Sequence, residues 1–301
     1  LSNLELFDDA LELLERAKGL QPNEVEIYLM QGSIYALQFM HEKAIEAYEY
    51  ALDLAEEKDE VYYSLGMSYQ SLDNYPKAID CYKLAIEDNI LHEGALYELA
   101  FCLDYTGELE KSISYYKKFI DSDPYSQGAW YNLGIVYNKL EKYELAIDAY
   151  EYAIAIEENF ASAYFNMGNT FMSLEKYTKS LNAYRKTIDI EGPSPEVYCS
   201  LGKAYENLGQ FGLGLKYYQK CIKLDNIYAE AWFGAGTCLA GQDKWMEAIH
   251  FLKKAIKFDD LNGEYWLELG RVECALGNVV AGIDAYKKAV DLDPEDIEIW
   301  L

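Results

Sequence analysis

One spacing constrains this chain more than any other property: small residues recur every 34 positions along its length. Gly32, Gly66, Ala100, Gly134, Gly168, Gly202, Gly236 and Gly270 keep that interval with no insertion or deletion. A fixed period of this size marks stacked copies of one supersecondary unit, each too small to bury its own apolar face. With Val25 as position 1, complete units run 25–58, 59–92, 93–126, 127–160, 161–194, 195–228, 229–262 and 263–296. Residues 1–24 read as the back part of a preceding unit, with Ala10, Ala17 and Pro22 in phase, and residues 297–301 open a following one.

Other phases say what the unit is. Position 4 holds Tyr28, Tyr62, Leu96, Trp130, Tyr164, Tyr198, Trp232 and Trp266, with Trp300 in the tail; position 24 holds Tyr48, Tyr82, Tyr116, Tyr150, Tyr184, Tyr218, Leu252 and Tyr286. Within a unit, positions 4, 7, 8 and 11 form one apolar stripe and positions 17, 20, 21, 24, 27 and 28 another. Steps of three and four place each stripe on one side of a helix. Small residues at positions 8 and 20 are expected to let two backbones approach closely. Short polar or glycine-containing stretches such as SLDNYP and NLGQFG separate the two helices, and SDPYSQ or LDPED separates successive units. The spacing therefore predicts an all-α array of antiparallel helix pairs sharing one continuous core.

The pattern resembles the tetratricopeptide repeat. Trp130, Leu133, Gly134, Tyr137, Ala146, Tyr150 and Ala153 match the family's phases 4, 7, 8, 11, 20, 24 and 27, and Pro22, Pro124 and Pro294 match its phase 32. The resemblance extends over essentially the whole chain. It implies a right-handed superhelical solenoid whose first helices line a concave face, and a role in binding peptides or protein segments.

Positions 2, 5, 9, 12 and 13 of each first helix are then the candidate groove. Position 5 runs Leu29, Tyr63, Tyr97, Tyr131, Phe165, Cys199, Phe233 and Leu267, and position 9 adds Met67, Phe101, Ile135 and Asn169. This apolar ladder is either packing between neighbouring first helices or a contact surface, since interface energy concentrates in desolvated aromatic patches. Position 2 contributes Glu26, Glu60, Glu196, Glu230, Glu264 and Glu298, and position 12 Asp104 and Glu206. Acid at these phases is either a solvated helix surface or half of the groove's chemistry. A ligand combining apolar anchors with positive charge is expected.

Charge narrows the partners. The chain carries 26 basic against 52 acidic residues, a formal charge of -26, and no basic stripe offsets it for a phosphate backbone. Residues 1–194 hold most of the excess, at net -20, leaving -6 for the remainder. Protein or peptide partners are expected, not nucleic acid, and oligomeric state is left open. No apolar run is long enough to span a membrane, and the first residues read as an acidic amphipathic helix rather than a secretory leader.

The carboxylate clamp of chaperone-binding relatives is incomplete here. Asn132, Asn166 and Asn169 occupy compatible phases, but no Lys or Arg stands at positions 2, 5 or 6 of any complete unit. Lys139, Lys203 and Arg271 project from other groove phases, where they are expected to pair with an acidic ligand locally. His41, His92 and His250 lie at unrelated phases, and neither an HExxH motif nor a glycine-rich phosphate loop is present. The six cysteines contain no CxxC pair, which points to reduced structural thiols and a cytoplasmic setting. A non-catalytic interaction scaffold without cofactor or metal is the expectation, with a structural spacer acting through its ends or convex face as the alternative, possibly attached to an enzyme outside this chain. Because Leu1 falls at position 11 and Trp300 restarts position 4, the chain is also expected to be part of a longer array.

Overall fold

Residues 2–294 are described by the structure, a computed structural model. Residues 297–301, with Trp300 and Glu298, lie outside them. By contact the chain divides into two compact units, Leu1–Leu145 and Ala146–Leu301. The first contains α1 (Ser2–Leu20), α2 (Val25–Leu37), α3 (His41–Leu54), α4 (Asp59–Ser71), α5 (Tyr75–Asp88), α6 (Glu93–Tyr105), α7 (Leu109–Ser122) and α8 (Gln127–Lys139). Helix α9 (Tyr143–Ile156) carries the division. The second contains α10 (Ala161–Ser173), α11 (Tyr177–Glu191), α12 (Pro195–Asn207), α13 (Phe211–Leu224), α14 (Ala229–Ala240), α15 (Trp245–Phe258), α16 (Gly263–Ala275) and α17 (Val279–Leu292). All described secondary structure is helical, arranged as stacked antiparallel pairs.

Local sequence sets the helix ends. Ser126, Ser194 and Asn262 cap α8, α12 and α16 by accepting from the backbone N–H of Ala129, Val197 and Glu264, which satisfies donors the helix itself leaves free. His92 caps α6 the same way, its Nδ1 accepting from Ala95 N at 3.1 Å. Inside each pair the chain reverses through a residue in the left-handed region, and that residue always stands at position 15: Phe39, Asp73, Gly107, Glu141, Glu175, Gly209, Asp243 and Gly277. Glycine takes this conformation freely, whereas a side-chain-bearing residue pays about 1–2 kcal/mol. The sequence signal for the turn is therefore only partly glycine. Glu141→Gly, at φ 57° and exposed to solvent, is expected to raise the unfolding free energy by about 0.5–1 kcal/mol, after allowing for glycine's larger entropy in the unfolded chain. A denaturant midpoint that falls on this change would contradict the strain.

Packing explains the period. The ring at position 24 is the centre of each pair: Tyr48, Tyr82, Tyr116, Tyr150, Tyr184 and Tyr218 are all buried. Position 8 is small for a different reason from the one expected. A Cβ added at Gly32, Gly66, Gly168 or Gly202 meets the ring of Tyr48, Tyr82, Tyr184 or Tyr218 at 2.4–2.8 Å, so glycine makes room for a side chain, not for a backbone. Position 20 is where the backbones do come close. A Cβ at Gly214 stands 3.2 Å from Gly202 O, and the Ser112 hydroxyl donates to Ala100 O at 2.7 Å across the same gap.

The position 4 tryptophans also differ from simple packing residues. Their rings are half-buried, and Trp130, Trp232 and Trp266 donate from Nε1 to the carbonyls of Pro124, Asn226 and Asp260 at 2.9–3.0 Å. Tyr28 donates its hydroxyl to Pro22 O in the same way at 2.9 Å. Each acceptor stands at position 32, so the aromatic ties the first helix to the loop that delivers it.

Candidate functional site

Within each unit, successive first helices touch: α2 with α4, α4 with α6 and α6 with α8 in the first, α10 with α12, α12 with α14 and α14 with α16 in the second. Second helices are not paired at comparable closeness among the described residues. The first helices therefore line the inner side of each unit, and the candidate groove phases fall there.

Much of the apolar ladder packs within the repeat stack. Tyr63 leans on Tyr82 at 6.0 Å and on His92 at 4.9 Å between ring centroids, occupying space that a Cβ on Gly94 would take. Tyr97 packs edge-on against Tyr116 and Phe119, and its hydroxyl accepts from Asn132 Nδ2 at 2.9 Å. Phe165 tilts onto Tyr184 at 5.6 Å, and Phe233 stacks on Tyr265 at 4.6 Å. Tyr131 and Ile135 are half-buried, Met67 and Phe101 more exposed. Cys199 is the exception, being 3% exposed and unavailable to a ligand.

Below the ladder runs a row of polar contacts. Position 24 hydroxyls reach through to the first helix, where Tyr82 donates to Gln70 Oε1, Tyr184 to Asn169 Oδ1 and Tyr218 to Glu206 Oε2, each at 2.7 Å. Position 12 residues then bridge to the following unit of the repeat. Gln70 Nε2 donates to Glu98 at 2.9 Å, Asp104 accepts from Lys139 Nζ at 2.8 and 2.9 Å, and Glu206 accepts from the Thr237 hydroxyl. Burial pushes the Glu206 carboxyl above its usual range, against the lowering effect of those two hydroxyls.

The cations expected to await an acidic ligand are already matched. Lys139 is held by Asp104, Arg271 forks onto both oxygens of Glu268, and Lys203 stands 3.7 Å from Glu230. That disposes of Lys139 and Arg271 as free anion receptors. Glu60, Glu196, Glu230 and Glu264 are exposed, with Glu60 3.6 Å from His92 Nε2 and Glu230 only loosely approached by Lys203.

Two concavities collect these residues. In the first unit a space of about 420 Å³ is lined by Tyr48, Tyr63, Met67, Leu37, His41 and four serines at 33, 64, 68 and 71. Of the ladder it contains Tyr63 and Met67, and its wall is mainly apolar. In the second unit a space of about 410 Å³ is lined by Lys203, Glu206, Tyr218, Glu230, Phe233 and Tyr265, with Asn207, Asn262 and Glu264 at its edge. Here Glu230, Phe233 and Glu264 come together as candidate residues. Tyr265 was not among them, although its phase carried a signal. Position 3 is otherwise Ile27, Val61, Ala95, Ala129, Ala163, Val197 and Ala231, so an aromatic there breaks the pattern.

Burial pushes the Cys81 thiol up to about 11 and Cys102 up to about 12, so neither is a thiolate at neutral pH. Among the described residues no group of His, Cys, Asp and Glu is arranged to hold a metal ion, and no helix is long and apolar enough to cross a membrane.

No curated protein matches the chain significantly. Among solved structures, MamA is 28% identical, with 58% of this chain and 96% of that one covered at a TM-score of 0.55. A tetratricopeptide repeat protein from Parabacteroides merdae ATCC 43184 is 17% identical, covering 78% and 93% at 0.60, and YrrB is 22% identical, covering 62% and 95% at 0.50. Tetratricopeptide repeat models match residues 60–87 and 128–160, 94–126 and 195–228, and 1–59 and 239–297, while a TPR repeat model matches 168–209. With small residue, ring and turn recurring at the same phases, departing only at Leu252 for the ring, the chain belongs to the tetratricopeptide repeat family.

Proposed function

We propose that this chain is a non-catalytic scaffold that holds a peptide or protein segment on its first-helix face, and that the segment combines apolar anchors with positive charge. The observation that carries this reading is that each unit has a concavity of its own beside its first helices, an apolar one around Tyr63 and Met67 in the first and an acid-lined one around Glu230 and Glu264 in the second. Apolar burial supplies residence time and the carboxylates attract a cationic partner from a distance. YrrB, which shares the fold, is described as having an unusual peptide-binding site. Six free thiols, four of them buried, fit a reducing compartment, and we place the protein in the cytoplasm on that ground.

Crosslinking mass spectrometry in native extract, followed by binding of the captured segment as a labelled peptide, tests the proposal. Tyr63→Ala combined with Met67→Ala is expected to weaken binding about tenfold or more, as loss of a central aromatic anchor does. Crosslinks confined to the second helices, or an affinity untouched by both changes, would reject the first-helix face.

A further inference from the structure

We infer that the concavity of the second unit is a receptor for one arginine side chain of the bound segment. This rests on the peptide-binding reading and adds the group that is recognised. The cavity, of about 410 Å³, holds three carboxylates, Glu206, Glu230 and Glu264, against the single ammonium of Lys203. Its floor and rim differ in kind. Glu206 is fixed from below by hydrogen bonds from Tyr218 and Thr237, both neutral donors, so its charge has no cation bonded to it there. Glu230 is half exposed at the rim and lies 3.7 Å from Lys203, too loose for a good hydrogen bond. One wall is the Phe233–Tyr265 stack, with ring centroids 4.6 Å apart and planes within 25°.

Those features suit a guanidinium better than an ammonium. The planar group lies flat against an aromatic face and offers five donors in a fixed fork, enough to engage a carboxylate at the base and one at the rim together. Lysine brings the same charge as a strongly hydrated point and gains less from the stack. Lys203 is a weak internal competitor for Glu230. Its removal is expected to tighten arginine binding about threefold, the scale of a loose surface ion pair.

Protonation gives an independent readout. Burial holds the Glu206 carboxyl above its usual range. The charged and titratable groups around it are Lys203 on α12, Tyr218 from α13, Glu230 and Cys238 from α14, and Glu264, Tyr265 and Glu268 from α16. A guanidinium set against Glu206 favours its ionised form, so binding releases a proton and affinity climbs as pH rises through that titration.

Calorimetry on the full chain tests the assignment with blocked apolar hexapeptides carrying one arginine, or in its place citrulline or lysine. Arginine is expected to bind about tenfold or more tightly than citrulline, with lysine between them, and, at a pH within the Glu206 titration, with proton release visible as a buffer-dependent enthalpy. Glu206→Gln is expected to erase the arginine-to-citrulline ratio and the proton release. Glu230→Gln, at the rim, is expected to reduce the ratio and keeps the test intact should the Glu206 variant fail to fold. Equal affinity for arginine and citrulline, or a ratio that survives both glutamine variants, overturns the arginine receptor while peptide binding stands. Lysine binding as tightly as arginine overturns the guanidinium assignment. Failure of every peptide to bind overturns both readings.

Discussion

Tyr184→Ala is expected to lower the unfolding free energy by about 3–5 kcal/mol, the scale of deleting a buried aromatic ring that its surroundings cannot replace. The ring is 1% exposed, is packed by Phe165, fills the space that Gly168 leaves beside it, and donates its hydroxyl to Asn169. Two phenylalanine variants separate ring from hydroxyl. Tyr184→Phe gives up the 2.7 Å bond to Asn169 and should cost about 1 kcal/mol. Tyr116→Phe should cost less than that, because the buried Tyr116 hydroxyl makes no hydrogen bond of good geometry among the described residues, the nearby Asn132 amide donating to Tyr97. Denaturant unfolding of the three variants gives the ordering directly. A Tyr184→Ala midpoint near the parent's, or Tyr116→Phe as costly as Tyr184→Phe, would refute this account of the pair core.

The second large effect comes from adding atoms. Gly66→Val is expected to destabilise by about 2–3 kcal/mol, since a Cβ at Gly66 would stand 2.5–2.9 Å from three atoms of the fully buried Tyr82 ring. The ring has no room to retreat, being held by the hydrogen bond from its hydroxyl to Gln70. Gly212→Ala is the matched control. It lies in helix α13 with open space around its missing Cβ, so the substitution should stabilise by about 0.5–1 kcal/mol through helix preference. The opposite signs are the test, read as shifts in thermal midpoint. If both glycines tolerate substitution alike, the glycine at position 8 is not set by the ring at position 24.

In a repeat array such losses act on one pair and its neighbours, because each pair contacts only those beside it. Tyr184 and Gly66 belong to different compact units, so their double variant should sum its costs.

The 34-residue spacing by itself determined that this protein is helical pairs stacked in register. Steps of three and four between apolar positions fix helix faces, and the recurrence of glycine at 8 with tyrosine at 24 leaves one packing arrangement for each pair. Those signals are local, and the glycine–tyrosine pairing holds in six of the eight complete units, so the two that depart from it, at Ala100 and Leu252, are corrected by the others. The tertiary structure alone decided which side chains share a cavity. Tyr63 and Met67 are joined by serines from α2 and α4, while Glu230 meets Glu206, Tyr218 and Tyr265 from four different helices. Net charge pointed elsewhere, placing most of the acidic excess before residue 195, yet the acid-lined concavity lies beyond it. Total charge counts every solvated glutamate equally, whereas recognition depends on the few carboxylates that are desolvated and convergent. The same distinction removed Lys139 and Arg271 from the groove. Their phases project them toward it, but only the neighbouring first helix could bring Asp104 within 2.9 Å of Lys139, whereas the Arg271–Glu268 pair is an i,i+3 contact within one helix that the spacing already allowed.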